Sequence, residues 1–209
     1  MVIRAISQPA ARVRMDTRAD GKPVIVGYAA VYYNTADPGT QFTLWEGGIE
    51  RIAPGAFDAA IVRDDVRALF NHDPSLLLGR KSAGSLALTA DDVGLRYEIT
   101  PGDTTVARDV AEFIKRGELQ GSSFAFDYEG YSWTKEGDID VLTILSVRLY
   151  DVGPVTFPAY DATSTGMRSV GSGKTAGQLH AAWKWGNRVR GLSRQRACRA
   201  RIATIESEN

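Results

Sequence analysis

The stretch SLALTADDVGLRYEIT, residues 85 to 100, restricts the fold more than any other part of the chain. Leu86 and Leu88 alternate with other residues, ADDVG supplies turn formers, and Leu95, Tyr97 and Ile99 alternate again. Strand side chains point to opposite faces with period two, so the stretch reads as a hairpin with one apolar face. Further strands are expected at VIVGYAAVYY (24 to 33), VRALFNHD (66 to 73), and about 121 to 128, 130 to 135 and 141 to 150. NTADPGTQ is a turn-rich loop, and VGPVTFPAYDATSTG is expected to be irregular because of its prolines. Two helices stand among the strands. PGAFDAAIVRDD (54 to 65) is opened by Pro54. DTTVARDVAEFIKRG (103 to 117) places Val106, Val110, Phe113 and Ile114 on one face, with Asp103 or Thr104 as cap and Gly117 at its end. Short strands divided by turns argue for a mostly β, α+β body, a barrel or sandwich rather than a doubly wound sheet.

Charge divides the chain in two. Residues 169 to 209 hold eight Lys and Arg against Glu206 and Glu208, a net +6, which leaves −6 for residues 1 to 168 because the whole is neutral. The expected organisation is a body, 1–168, and a linker with a basic helical arm, 169–209. SVGSGKTAG is the flexible linker. The arm, beginning QLHAAWKWG, reads as a basic helix interrupted near Gly186 and Gly191. The single cysteine, Cys198, excludes an internal disulfide and fits a reducing compartment. The first residues lack the apolar core of a secretion signal, and no run approaches the about 18 apolar residues of a membrane helix. A cytoplasmic setting is expected.

The residues GELQGSSFAFDY, 117 to 128, set Ser122 on the parity of Phe124, Phe126 and Tyr128, and Ser123 on the other. A serine hydroxyl reacts only when a neighbouring base takes its proton, most often a histidine. Of the two histidines, His180 lies in the basic tail and His72 at the end of an apolar strand, which makes His72 the better candidate. A third group must orient the imidazole. Asp73 adjoins His72 but points to the opposite face. Asp127 shares parity with Ser123 but lies about 13 Å along the strand. Asp151 ends the run LTILSVRLYD. The bland alternative for all of these is structural: a strand serine, a strand-end histidine and the first acid of a loop. Other signals are weaker. GSGKT lacks the first glycine of a phosphate-binding loop, because Arg168 stands there, and reads as linker. Asp64-Asp65, Asp91-Asp92 and Asp138-Asp140 fall at turns, where Asp bonds locally, and no metal or cofactor is expected. The basic tail with Trp183 and Trp185 fits nucleic acid or an acidic protein surface.

Six motifs occur in a familiar order: GYAAVYYN (27 to 34), ERIAPGAFDAAI (50 to 61), VRALFNHDPSLLLGR (66 to 80), GSLALTADDVGLRYEI (84 to 99), FIKRGELQGSSFAFDY (113 to 128) and LYDVGPVTFPAYDAT (149 to 163). On these the chain resembles the prohead maturation (capsid assembly) serine proteases of tailed bacteriophages, which are similar in fold to the herpesvirus assembly proteases. The resemblance spans roughly residues 24 to 168. It implies a small antiparallel β-barrel flanked by short helices. It also implies site residues by position. The His of NHD is His72, and the nucleophile is the Ser before the Phe of G-x-S-F, hence Ser123 and not Ser122. The acid is Asp151, in L-x-[DE]-V-x-x-V-T-x-P-A-Y. Gly153 stands where such proteases often have Ser.

The activity so implied is that of a serine endopeptidase, packaged in the immature capsid within the host cytoplasm. It would cut scaffolding segments, and itself, during capsid maturation. Its partners would be the scaffolding protein or the scaffold segment of the major capsid protein, with self-association, and neither membrane nor nucleic acid. The rival is a non-catalytic capsid assembly protein of the same fold that binds scaffold or DNA through the basic tail.

Overall fold

The computed structural model describes residues 1–6, 9–158 and 174–187. Residues 169–173 of the expected linker, the end of the proline-rich segment and the tail beyond 187 lie outside the described residues; the linker's last residues, 174–177, are described and lead into a helix rather than remaining linker. The chain divides into two compact units, Met1–Gly173 and Lys174–Asn209.

The first unit is mostly β, with a few helices. Its strands, in chain order, are β1 (Val2–Ile6), β2 (Arg14–Thr17), β3 (Pro23–Val31), β4 (Gln41–Trp45), β5 (Gly48–Ile52), β6 (Arg67–Leu69), β7 (Leu77–Arg80), β8 (Leu86–Ala90), β9 (Gly94–Ile99), β10 (Gly121–Glu136) and β11 (Ile139–Val155). Helices α1 (Asp58–Arg63) and α2 (Thr105–Lys115) interrupt them. One sheet runs β1-β10-β11-β5-β4, with β6 on β11 and β7 on β6; the other runs β2-β3-β9-β8. The two sheets are open, not closed into the expected barrel. β11 pairs with β5 along Asp140–Ile144 and with β6 along Asp151 and Val152, so the sheet branches at β11 rather than closing into a ring.

The residue patterns account for much of this. The hairpin of residues 85 to 100 forms as β8 and β9, and its inward residues Leu86, Leu95, Tyr97 and Ile99 are buried. Helix α2 starts where Thr104 Oγ1 accepts from the Ala107 N–H, 3.2 Å, and the chain turns away after it through Gly117 at φ 73°. Its apolar face buries Ala107, Val110 and Ile114, while Phe113 stays partly exposed. Helix α1 is shorter than expected: Pro54 lies in a turn ahead of it, and the helix begins only at Asp58. A continuous core lies between the sheets, with Phe57 edge-on to Phe124 at 5.6 Å and Phe124 stacked on Phe126 at 4.8 Å. Each such fully buried aromatic stabilises the fold by roughly 1.5–3 kcal/mol.

Three strand assignments change. The expected pieces 121 to 128 and 130 to 135 are one strand, β10, with register shifts near Gly130 in place of a break. The expected strand 66 to 73 stops at Leu69. The segment after Asp151, read as irregular, continues as strand to Val155. Pro154 has no N–H to donate to the ladder, and its carbonyl accepts from the Asn71 N–H at 3.2 Å.

In the second unit, residues 176–187 form a helix, α3, with Gly186 inside it. Its start is a reciprocal cap: Gln178 N–H donates to Thr175 Oγ1 (3.3 Å) and Thr175 N–H to Gln178 Oε1 (2.9 Å). His180 stacks on Trp183 within it.

Candidate active site

Ser123 and Ser122 are divided by strand parity as the sequence suggested. Ser122 turns into the core, where its hydroxyl donates to Tyr97 Oη at 2.8 Å. Burial pushes the Tyr97 hydroxyl well above the usual tyrosine range, so this phenol stays neutral. Ser123 projects from the other face. Its Oγ lies 2.6 Å from His72 Nε2 and donates to the Arg4 carbonyl at 2.8 Å.

The hairpin register explains how the acid reaches the same place. Ser123 pairs with Gly153 and Ala125 with Asp151, so Ser123 and Asp151 are diagonal neighbours on one face of adjacent strands. Such diagonal neighbours lie about 7–8 Å apart, their Cβ atoms somewhat closer, a gap that an imidazole spans with one hydrogen bond at each nitrogen. His72 fills it: Nδ1–H donates to Asp151 Oδ1 at 2.5 Å while Nε2 meets Ser123.

His72 arrives from a turn, not from the strand end the sequence suggested. Strand β6 lies parallel to β11, with Arg67 opposite Asp151 and Ala68 opposite Val152. The chain then reverses through Asn71 (φ 55°) and His72 (φ 57°), both in the left-handed region. Asn tolerates that region; for His it costs about 1–2 kcal/mol. Surrounding bonds hold the turn. Asn71 Nδ2 donates to Thr156 Oγ1 at 3.1 Å and Asn71 Oδ1 accepts from Thr156 N–H at 2.8 Å, fastening the turn to the end of β11. Asp73 accepts from the N–H and hydroxyl of Ser75, which hold its carboxyl below the usual range.

The sequence candidates thus separate cleanly. His72, Ser123 and Asp151 come together in one hydrogen-bonded chain. Asp73 closes a local turn, and Asp127 accepts from Tyr150 Oη at 2.8 Å. Of the paired aspartates, Asp64 bonds Arg63 and the Leu149 N–H, Asp65 bonds Arg80, and Asp91 accepts from the Val93 and Gly94 N–H groups. Among the described residues no group of three His, Cys, Asp or Glu could hold a metal ion. What sequence reading missed is Arg4 and Glu50. Their pairing joins two strands 46 residues apart, and its only trace in the sequence is a charge inside the apolar alternation Val2, Arg4, Ile6.

Gly153 has a steric reason to be glycine. A Cβ there would fall on the Leu69 carbonyl oxygen of β6, with the Leu69 carbon at 3.1 Å, so the Ser common in the resembling proteases has no room. Gly153→Ala is expected to cost about 1–3 kcal/mol of stability. It should also lower activity, because β6 leads directly into the His72 turn. A thermal melt with a peptide assay checks this, and an unchanged melt would show that β6 yields without cost.

No curated protein matches the chain. Among solved structures, the capsid assembly protease of bacteriophage T4 is similar at 14% identity and a TM-score of 0.44, over 75% of this chain and 96% of that one. The family model of caudovirus prohead serine proteases matches residues 10–175, which take in β10, β11 and the His72 turn. By that match, over most of its length, the chain belongs to the caudovirus prohead serine protease family.

Proposed function

We propose that this prohead protease is an endopeptidase that cuts scaffolding segments inside the immature capsid, and itself, with Ser123 as nucleophile, His72 as general base and acid, and Asp151 as the group that orients His72. The observation that carries the reading is His72 bridging Ser123 and Asp151 with a hydrogen bond at each ring nitrogen. A carboxylate only accepts, so Asp151 fixes the Nδ1–H tautomer and leaves the Nε2 lone pair for the serine proton. Ser123 Oγ adds to the scissile carbonyl as His72 takes its proton. The tetrahedral intermediate collapses as His72 returns the proton to the leaving amine. Water then enters with the same help, and the acyl-enzyme is released.

The basic segment 169–209 serves in this reading as an addressing arm or propeptide. Its +6 charge suits an acidic surface such as scaffold, and that contact weakens with salt, since the Debye length is about 8 Å at physiological ionic strength.

The test is mass spectrometry of a scaffold segment, and of the protease itself, after incubation with wild type and with Asp151→Asn. Wild type should give discrete fragments of both. Asp151→Asn should retain activity reduced by roughly 10³–10⁴-fold, a smaller loss than removal of the nucleophile, because the base survives without its orienting partner. Wild-type turnover in Asp151→Asn would remove Asp151 from the mechanism. Intact scaffold with wild type would favour the non-catalytic assembly role.

A further inference from the structure

A nucleophile must reach a peptide carbonyl, yet Ser123 is 0% exposed. The strand beside it is β1. Val2 to Ile6 pair antiparallel with Phe126 to Ser122, and among the described residues β10 is their only strand partner. These residues precede the family-matched segment 10–175. Their contact with the nucleophile is chemical as well as steric. A serine hydroxyl has one proton. Two acceptors lie within reach of it, His72 Nε2 at 2.6 Å and the Arg4 carbonyl at 2.8 Å, so β1 competes with the base for the proton that His72 must take.

The Arg4 side chain leaves on the opposite face, with Phe124 as its cross-strand neighbour. Its Nε and Nη2 donate to Glu50 Oε1 (2.6 Å) and Oε2 (3.0 Å), and Nη2 also donates to Tyr128 Oη (3.1 Å). Glu50 is fully buried. Burial opposes the Arg4 charge, but Glu50 outweighs it and holds the guanidinium protonated.

We propose that the β10 edge beside Ser123 is the peptide-binding site, that β1 is its resident occupant, and that Glu50 with Tyr128 selects a basic side chain in the strand that replaces β1. This rests on Ser123 being the nucleophile. A peptide added to a sheet edge gains affinity from main-chain pairing and specificity from side-chain pockets. A replacement strand without a cation at this place leaves Glu50 buried and unpaired, a heavy penalty. Because the Arg4 carbonyl is the one at Ser123 Oγ, the selected basic residue lies on the acyl side of the bond that is cut.

The test uses the full chain and a fluorophosphonate probe, with labelled Ser123 identified by peptide mass spectrometry. Arg4→Gln should label at least about tenfold faster than wild type, since loosening β1 raises the fraction of open site. Blocked Val-Ile-Arg-Ala-Ile should slow labelling of Arg4→Gln at about tenfold lower concentration than Val-Ile-Glu-Ala-Ile. Adding Glu50→Gln should erase that preference. Equal labelling of Ser123 in wild type and Arg4→Gln overturns β1 as occupant while leaving the nucleophile intact. Equal competition by the two peptides overturns the basic pocket. Label on another serine overturns the nucleophile assignment itself. If Arg4→Gln loses its cooperative melt, Arg4→Lys carries the same comparison: it keeps the charge but loses the bidentate grip, so it should still label faster than wild type, and a wild-type rate overturns the proposal.

Discussion

Ser123→Ala is expected to lower peptide hydrolysis by roughly 10⁵–10⁶-fold, leaving only what binding and dipoles contribute, whereas Ser122→Ala should keep most of it. The two residues are adjacent and both fully buried, so composition and exposure do not distinguish them. Hydrogen bonding does. Ser123 Oγ faces His72 Nε2, and Ser122 Oγ faces Tyr97 Oη on the other side of the sheet. The cost of Ser122→Ala is therefore thermal. It removes the donor to a buried phenol and should cost about 1–3 kcal/mol, or about 2–4 °C of Tm for each kcal/mol at this chain length. Paired assays and melts on the two variants check both halves. A dead Ser122→Ala beside an active Ser123→Ala would place the nucleophile one residue earlier and refute the parity argument.

The parity of Ser122 and Ser123 was legible because alternation is a local property of a strand, and the aromatic run Phe124, Phe126, Tyr128 marked the inner face. The hairpin of residues 85 to 100 was legible for the same reason. Asp151 was a different case. Parity counted against Asp73 and distance against Asp127, but Asp151 could equally be the first acid of a loop, and position within a resembling motif decided for it. What sets its geometry is the β10–β11 register, in which Ala125 rather than Ser123 faces Asp151, and register is fixed by long-range pairing. His72 was read onto a strand because VRALF is apolar, but the Asn71–Thr156 bonds turn the chain after Leu69. The barrel failed where it depended on topology: nothing in the run VLTILSVRLYDVGPV shows that β5 and β6 pair with it in parallel. Arg4 lay hidden for a related reason, since its partner Glu50 belongs to a strand distant in sequence.

His72→Ala should be as inactive as Ser123→Ala, and the double variant scarcely worse, because residues of one catalytic unit do not contribute additively. An additive double variant would mean that the two residues act in separate steps. The backbone allows a sharper test at the same position. His72 has φ 57°, where a Cβ crowds the following carbonyl. Alanine keeps that strain and glycine removes it. His72→Gly and His72→Ala both strip Asp151 of its imidazole, so their catalytic loss should be equal and their electrostatic loss the same. Their stabilities should differ, with glycine ahead by about 1 kcal/mol, the reverse of the order expected within a helix or strand. Thermal melts of the two variants decide this, with Ser123→Ala as a reference of intact backbone. If alanine proved the more stable, the left-handed turn would not be the conformation that carries His72 to Ser123. The placement of the base over the β10–β11 diagonal would then need another path for the chain.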